Sequence, residues 1–334
     1  MSLTSQEFYD LMKADFTALL DGQSAIAIGV SGGPDSMALL WLLQEWCAKQ
    51  GKDLHALSVD HGLRVEAKDE CALVAQYCDQ FGHVRHQILT LDELPEKRLQ
   101  EEARLARYAV KEGYCEAHGI QHLFLAHHQK DQAETFLFRL AKGSGLDGLS
   151  GMRKAQNFGS LILCRPLLEV SKEDLIAICQ EENIPFSQDP SNENEIFARV
   201  RLRQSMDVLA GEGLTLKRLA VTAKRLDRGR LALDEISKNA FNERLLYKDT
   251  NRVEFNNDLC DEHEEILIRC LQKAIFEIGD DRDYAPRLER IETLAHDLKH
   301  DLSFRKRTLG GVIFERDDKR GVLILSKEKL DVSA

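Results

Sequence analysis

The stretch IAIGVSGGPDSMALLWLL, Ile26 to Leu43, contains an apolar run ending at Val30, the turn Ser31-Gly32-Gly33-Pro34-Asp35-Ser36, and a second apolar run. The first run reads as a buried strand and the second as a buried helix, with proline in its opening turn. A strand that breaks on two glycines into a helix start surrounds one small concavity with backbone N–H groups. Those first-turn groups lack intrahelical partners and the helix dipole adds roughly half a positive charge, so such a turn binds anions. Glycine lets a phosphate approach the main chain with no Cβ in the way. The plainer alternative is an ordinary turn in which Asp35 or Ser36 caps the helix. This turn is neither a Walker loop, G-x-x-x-x-G-K-[ST], nor the dinucleotide fingerprint G-x-G-x-x-G.

Around that stretch the first half of the chain alternates strand and helix. Candidate strands are Ala25–Val30, Leu54–Asp60, Arg85–Leu89, His122–Ala126 and Leu161–Cys164, each followed by a polar turn and a helical pattern. This predicts an α/β fold, a doubly wound and mainly parallel Rossmann-like sheet. Ligands of such sheets bind beyond the carboxyl ends of the strands, where Ser31, Asp60, His61, His127 and His128 fall. From about Gly211 the alternation stops. Leu216, Leu219, Ala223, Leu226, Leu233, Ile236 and Ala240 recur at helical spacing, as do Leu267, Leu271, Ala274 and Ile278. The expected organisation is a nucleotide-binding domain over 1–210 and a mostly helical domain over 211–334, ending in a hairpin of Phe304–Glu315 and Val322–Ser326.

Composition narrows the function. A chain of 334 residues with 43% hydrophobic content supports about two domains with real cores. Its longest apolar run falls far short of the ~20 residues a bilayer span needs, and acids replace the basic start of a signal peptide, so a cytoplasmic location is expected. The eight cysteines form no C-x-x-C pair and read as reduced, buried thiols. A net charge of −11 argues against indiscriminate nucleic-acid binding but allows a local basic face. The region Arg199–Arg230 is that outlier, with nine Lys and Arg, among them Arg199, Arg203, Lys217, Arg218, Lys224, Arg225 and Arg230, against three acids. Such a segment suits a phosphate backbone, or is simply a solvated helix face.

Other constellations remain open on chemistry alone. Asp60 and His61 suit either a strand-end site or a helix cap. Arg104 and Arg107 share a helix face and suit either surface ion pairs or a bidentate hold on phosphate. His127, His128, Asp131 and Glu134 have spacings that suggest zinc, but no thiolate or third well-spaced histidine completes a tetrahedral set, and Asp131 offers the hard oxygen that Mg²⁺ prefers. The glycines of Lys142–Gly151 suggest a mobile loop over the substrate.

The string S-G-G-x-D-S after the first strand resembles the pyrophosphatase loop of the N-type ATP pyrophosphatases. Further along, SVDHGLR (Ser58–Arg64), EEARLARY (Glu101–Tyr108), AHHQKDQAETFLFRLAKGSGLDGLSGM (Ala126–Met152), RPLL (Arg165–Leu168) and DPSNENEIFARVRLR (Asp189–Arg203) follow in order. Together they resemble the tRNA(Ile)-lysidine synthetases over roughly residues 22–205. Lys130 and Val200 depart from the family pattern of an acid and an asparagine.

The resemblance implies ATP and Mg²⁺, free L-lysine, and a tRNA(Ile) with a CAU anticodon whose wobble cytidine is adenylated and then attacked by the lysine amine. It implies that Ser31, Gly32, Gly33, Pro34, Asp35 and Ser36 hold ATP, that Asp35, Arg104 and Asp131 are catalytic, and that Asp35 and Asp131 hold the metal. His127, His128, Glu134, Asp189, Arg199, Arg203, Lys217, Arg218, Lys224 and Arg225 are then substrate-binding residues. A homodimer is left open. A tRNA thiolase on the same fold is the enzyme alternative, opposed by the missing C-x-x-C. A non-catalytic nucleotide-binding regulator needs the glycine turn but not Arg104 and Asp131.

Overall fold

The computed structural model describes residues 3–60, 66–91, 99–187, 206, 208–278, 286–301 and 303–328. The chain divides into two compact units, Met1–Asp227 and Arg228–Ala334.

In the first unit, β1 (Ala25–Gly29), β2 (Asp53–Asp60), β3 (Val84–Thr90), β4 (His122–Phe124), β5 (Ala155–Phe158) and β6 (Leu161–Cys164) form one sheet in the order β3-β2-β1-β4-β6-β5. Five of these strands run parallel, with Ile28 beside Ala56 and Phe124, and only β5 pairs antiparallel, against β6. Successive residues of β1 enter different cores. Ile26 and Ile28 pack with α1 (Ser5–Asp15), α2 (Pro34–Gln50) and α7 (Lys172–Glu181), whereas Ala27 packs with Tyr108 and Cys115 of α4 (Leu99–Ala117). A strand whose two faces are both covered reads as a continuous apolar run, and this produces the doubly wound architecture expected from the sequence. β5 escaped that reading because an edge strand needs only half its residues apolar, and AQNF has exposed Gln156 and Asn157.

The remaining helices are α3 (Glu66–Cys78), α5 (Gln129–Ala141) and the four-residue α6 (Leu146–Leu149). Side chains of α5 hold the glycine-rich segment that follows it. Arg139 donates to the carbonyls of Gly148 (2.8 Å) and Gly151 (2.9 Å), and Gln132 exchanges hydrogen bonds with the main chain of Met152. Gly143, Gly145 and Gly148 spell G-x-G-x-x-G, but they follow a helix, the wrong context for a dinucleotide turn.

The sequence changes character near Gly211, and a single long helix, α8 (Leu216–Arg244), runs through the division between the units. The second unit contains α9 (Glu264–Ile278), as the helical spacing predicts, and α10 (Leu288–His300), which that spacing did not mark. It also holds an antiparallel sheet that the sequence reading did not anticipate. β7 (Leu245–Lys248), β8 (Arg252–Asn256), β9 (Lys306–Leu309), β10 (Val312–Asp317) and β11 (Val322–Lys327) pair in the order β7-β8-β11-β10-β9. The expected hairpin of Phe304–Glu315 and Val322–Ser326 is therefore three strands of a five-stranded sheet: its first arm turns back at Gly310 and Gly311 between the edge strand β9 and β10, and β10 pairs with β11. β7 was hidden because it follows Arg244 of α8 with no turn residue to mark the change.

Candidate active site at the glycine turn

Glycine, not a side chain, caps α2. Gly33 is the N-cap in an extended conformation, no side chain hydrogen-bonds there, and Pro34 opens the helix. Its positive end is thus left open, and neither Asp35 nor Ser36 fills the capping role weighed above. Ser36 instead ties the turn to itself: its hydroxyl accepts from the Ser31 amide at 3.1 Å, donates to the Gly33 carbonyl at 3.0 Å and lies 3.3 Å from the Ser31 hydroxyl. Gly32 has φ +81°, and a Cβ there would stand 3.3 Å from the Glu70 Cβ, so both conformation and space require glycine. The Gly32 carbonyl accepts from the Ser187 amide at 2.9 Å, anchoring the turn from outside.

Above the turn lies a cleft of about 370 Å³. Ser31, Gly33, Asp35 and Ser36 form its floor. One wall comes from α4, which presents Arg104, Arg107, Tyr108 and Lys111 at spacings of three, four and seven residues, a single helical face. The Arg104 guanidinium lies 5.6 Å from the centre of the Tyr108 ring. The end of β1 and the segment after β4, with Leu125, Ala126 and His127, complete the enclosure. An anion here meets an open helix start and cations from opposite sides.

The two histidines after β4 have opposite electrostatic settings. Burial pushes the His127 imidazole down to about 4, with nearby Asp131 opposing and the charges of Arg165 and Arg104 adding to the fall. Its Nδ1 accepts from Arg165 Nε at 3.3 Å, leaving the proton of the neutral ring on Nε2. Arg165 is only 2% exposed and donates to the Arg153 carbonyl and the Gln156 side chain. His128 is the N-cap of α5: its Nδ1 accepts from the Lys130 amide, and Asp131 Oδ2 accepts from the His128 amide at 3.0 Å. His128 Nε2 stands 3.5 Å from Asp35 Oδ2 and 3.7 Å from Asp131 Oδ2. Burial lowers the affinity of His128 for a proton, but the hydrogen bond to Asp35 and the two carboxylate charges outweigh it, and its pKa is raised.

These contacts link Asp131 to the cleft through His128 and Asp35. Lys172 Nζ approaches Asp35 Oδ2 at 3.9 Å, while Asp35 Oδ1 is buried with no hydrogen-bond partner among the described residues. A carboxylate oxygen buried without a donor is costly, and a hard cation is a natural counterpart. Among the described residues no three His, Cys, Asp or Glu side chains converge on a metal position. That does not suit a structural zinc ion but fits Mg²⁺, which keeps waters and takes substrate phosphate oxygens beside one or two carboxylates.

Of the residues singled out from sequence, the cleft gathers Ser31, Gly33, Asp35, Ser36, Arg104 and His127. Glu134 is buried on α5. Lys217, Arg218, Lys224 and Arg225 are exposed on the first half of α8, with Lys224 paired to Glu169 at 2.6 Å and Arg218 donating to the Gly213 carbonyl at 2.8 Å. Arg230, counted with the basic segment, is 5% exposed and paired with Asp234 at 2.5 Å, so it belongs to the interior rather than to a basic surface. His61, Asp189, Arg199 and Arg203 lie outside the described residues. Sequence reasoning passed over Lys111 and Arg165. The first was detectable as the next residue on the Arg104 face; the second stood in the sequence reading only as the first residue of RPLL, with no role, since its contact with His127 spans 38 residues of chain.

A family model described as the PP-loop domain matches residues 3–208. The tRNA(Ile)-lysidine synthase of Bradyrhizobium sp. (strain BTAi1) is 36% identical over 311 residues, covering 89% of this chain and 84% of that one. The enzyme of the same name from Rhodopseudomonas palustris is 35% identical over 317 residues, covering 90% of each. Among solved structures, the U34-tRNA thiolase NcsA from Methanococcus maripaludis, with its 4Fe-4S cluster, superposes with a TM-score of 0.55 at 18% identity, over 67% of this chain and 78% of that one. That likeness concerns the fold alone.

Proposed function

The chain belongs to the tRNA(Ile)-lysidine synthases, ATP-using ligases that form a carbon–nitrogen bond, and from that premise we propose how its cleft makes lysidine on tRNA(Ile). The observation that carries the reading is the uncapped start of α2 facing Arg104 across one cleft. ATP lies with its phosphates on Ser31, Gly32, Gly33, Pro34, Asp35 and Ser36. The 2-carbonyl oxygen of the wobble cytosine, in a CAU anticodon, attacks the α-phosphorus, and the bond to the β-phosphate oxygen breaks to release pyrophosphate. A carbonyl oxygen is a poor leaving group and an adenylate a good one, so this activation precedes substitution. The ε-amine of free L-lysine then forms a bond to C2, loses a proton, and expels AMP with the former carbonyl oxygen.

Negative charge grows on phosphate oxygens as pyrophosphate departs, and fixed donors aimed at it lower the barrier. Arg104 supplies a guanidinium, and the amides of the open turn supply N–H groups. Asp35, with an unpartnered oxygen, and Asp131 would hold Mg²⁺, which when bound neutralises charge on the pyrophosphate. His128 between the two carboxylates moderates their repulsion. His127, held neutral with its proton on Nε2, offers a donor to substrate, and Glu134 lies one turn beyond Asp131 for the lysine amine. We assign residues 1–210 to nucleotide chemistry and 211–334 to the tRNA-facing part, with Asp189, Arg199, Arg203, Lys217, Arg218, Lys224 and Arg225 toward tRNA or lysine. We place the enzyme in the cytoplasm, where its substrates are; among the described residues no helix is long and apolar enough to cross a membrane.

Incubation with ATP, L-lysine and tRNA(Ile), followed by mass analysis of the wobble nucleoside, tests this reading. Cytidine should be replaced by its lysine adduct, with one AMP and one pyrophosphate per adduct. Unmodified cytidine, or ADP as product, would overturn the mechanism.

A further inference from the structure

We propose that Lys111 contacts the phosphates of the bound nucleotide, as a third cation of the wall that carries Arg104 and Arg107. The proposal rests on the cleft being the ATP site. Lys111 lies seven residues after Arg104, on the same face of α4, and lines the cleft. Its ammonium is pressed against the end of β1: a Cβ added to Gly29 would stand 3.2 Å from Lys111 Nζ. That strand end leads in two residues to Ser31, so the charge sits beside the start of the phosphate turn.

Among the described residues nothing neutralises this charge. Among the described residues no carboxylate lies within ion-pair distance of Lys111, and its neighbour Glu112 is occupied by the amide and hydroxyl of Ser160 at 2.6 and 2.9 Å. Arg107 and Cys115 face Lys111 from its own helix, and the Tyr108 ring lies 5.9 Å away. Gly29 meets it from β1, and the charged groups elsewhere in the cleft are Arg104 and Asp35, beside the neutral His127. Asp35 is already shared between His128 and Lys172. A half-buried ammonium among cations is destabilised, and a polyphosphate is the anion this cleft is shaped to receive.

Burial, with the charge of Arg107 adding to it, pushes the Lys111 ammonium down to about 8. Phosphate alongside raises it again, so ATP binding draws in a proton near pH 8. The test is calorimetry of ATP binding without tRNA at pH 8, in two buffers of different ionisation heat. The wild type should take up about half a proton per ATP, since a group at its pKa is half charged. Its affinity should also fall by up to about tenfold per pH unit above 8. Lys111→Met should abolish both effects while melting at an unchanged or higher temperature. Uptake that survives in Lys111→Met, or ATP affinity at pH 7 that Lys111→Met leaves unchanged, overturns the contact; if the methionine variant folds poorly, Lys111→Arg, which keeps the charge at pH 8, should keep the affinity and lose the uptake. Gly32→Val separates this from the site reading: if it abolishes ATP binding while Lys111→Met changes nothing, only the Lys111 contact is wrong. ATP binding that tolerates Gly32→Val removes the cleft reading itself.

Discussion

The cations of the cleft and those of the second unit are held in different ways. Arg104 and Lys111 face no carboxylate partner among the described residues. In the second unit, Arg269 binds Asp234 at 2.6 Å and Glu265 at 2.8 Å, Arg230 binds Asp234 at 2.5 Å, and Arg244 is paired with Glu262. Paired cations are neutralised and serve packing, whereas cations left open at the start of a helix are reserved for an anion from outside. The first half of α8 falls between these cases. Lys224 is tied to Glu169, but exposed Lys217 and Arg225 have no partner among the described residues.

The largest break in this comparison comes from the one carboxylate on the cleft floor. Asp35→Ala should reduce formation of adenylated tRNA by at least about 10³-fold, the scale of several kcal/mol for a metal-organising group, with tRNA affinity unchanged. Asp131→Ala should follow it at a smaller cost, because Asp131 does not line the cleft and its Oδ2 is already engaged by the His128 amide. Single-turnover adenylation and a binding titration separate the two quantities. Near wild-type turnover in either variant removes that residue from the metal.

Arg104→Ala comes next, with a loss on the order of 10²-fold in the adenylation rate and a smaller change in ATP binding, as for a donor whose partner gains charge in the transition state. A change confined to the Michaelis constant for ATP would identify a ground-state contact instead.

The paired cations should behave in the opposite way. Arg269→Met breaks a nearly buried network and should cost about 2–4 kcal/mol of stability in urea unfolding, while ATP binding at the cleft is unchanged. Reduced ATP affinity at full stability would contradict the division drawn here.

His127 carries the pH signature of the cleft. Its folded value of about 4 lies below the ordinary 6.5, so between these values the unfolded chain binds a proton the folded chain does not. Stability should therefore be complete above pH 6.5 and fall as pH drops toward 4, by about 1–3 kcal/mol on the scale of 1.4 kcal/mol per unit. His128, with a raised pKa, works in the other direction, adding stability below 6.5 that is lost as pH rises through its folded value. Unfolding at pH 5 and 7.5 should show a shallower acid loss in His127→Gln than in the wild type and a steeper one in His128→Gln.

The smallest effect belongs to α8. Replacing Lys217 and Arg225 with alanine should flatten the salt dependence of tRNA binding by about 1.4–1.8 in the log–log slope if each meets one phosphate. Lys224→Ala should change it less, because Glu169 already holds that charge. Equal effects from Lys224 and Arg225 would mean that the Glu169 pair opens when tRNA binds.

What the sequence determined by itself is whatever repeats or clusters locally. Five strands, the glycine turn, the Arg104 face of α4 and the helical spacing of α8 and α9 were legible because each depends on residues within a few positions of one another. The edge strand β5 and the strands β7 and β8 were not, since their partners rather than their own patterns make them strands. The site divides in the same way. Ser31 to Ser36 form one loop and could be read as one, but tertiary structure brought His128 between Asp35 and Asp131, set Arg165 on His127, and laid Lys111 against Gly29. Apart from the local His128–Asp131 pair, those contacts join segments dozens of residues apart, and the protonation states of the groups follow from burial and neighbouring charge, which exist only once the sheet has assembled.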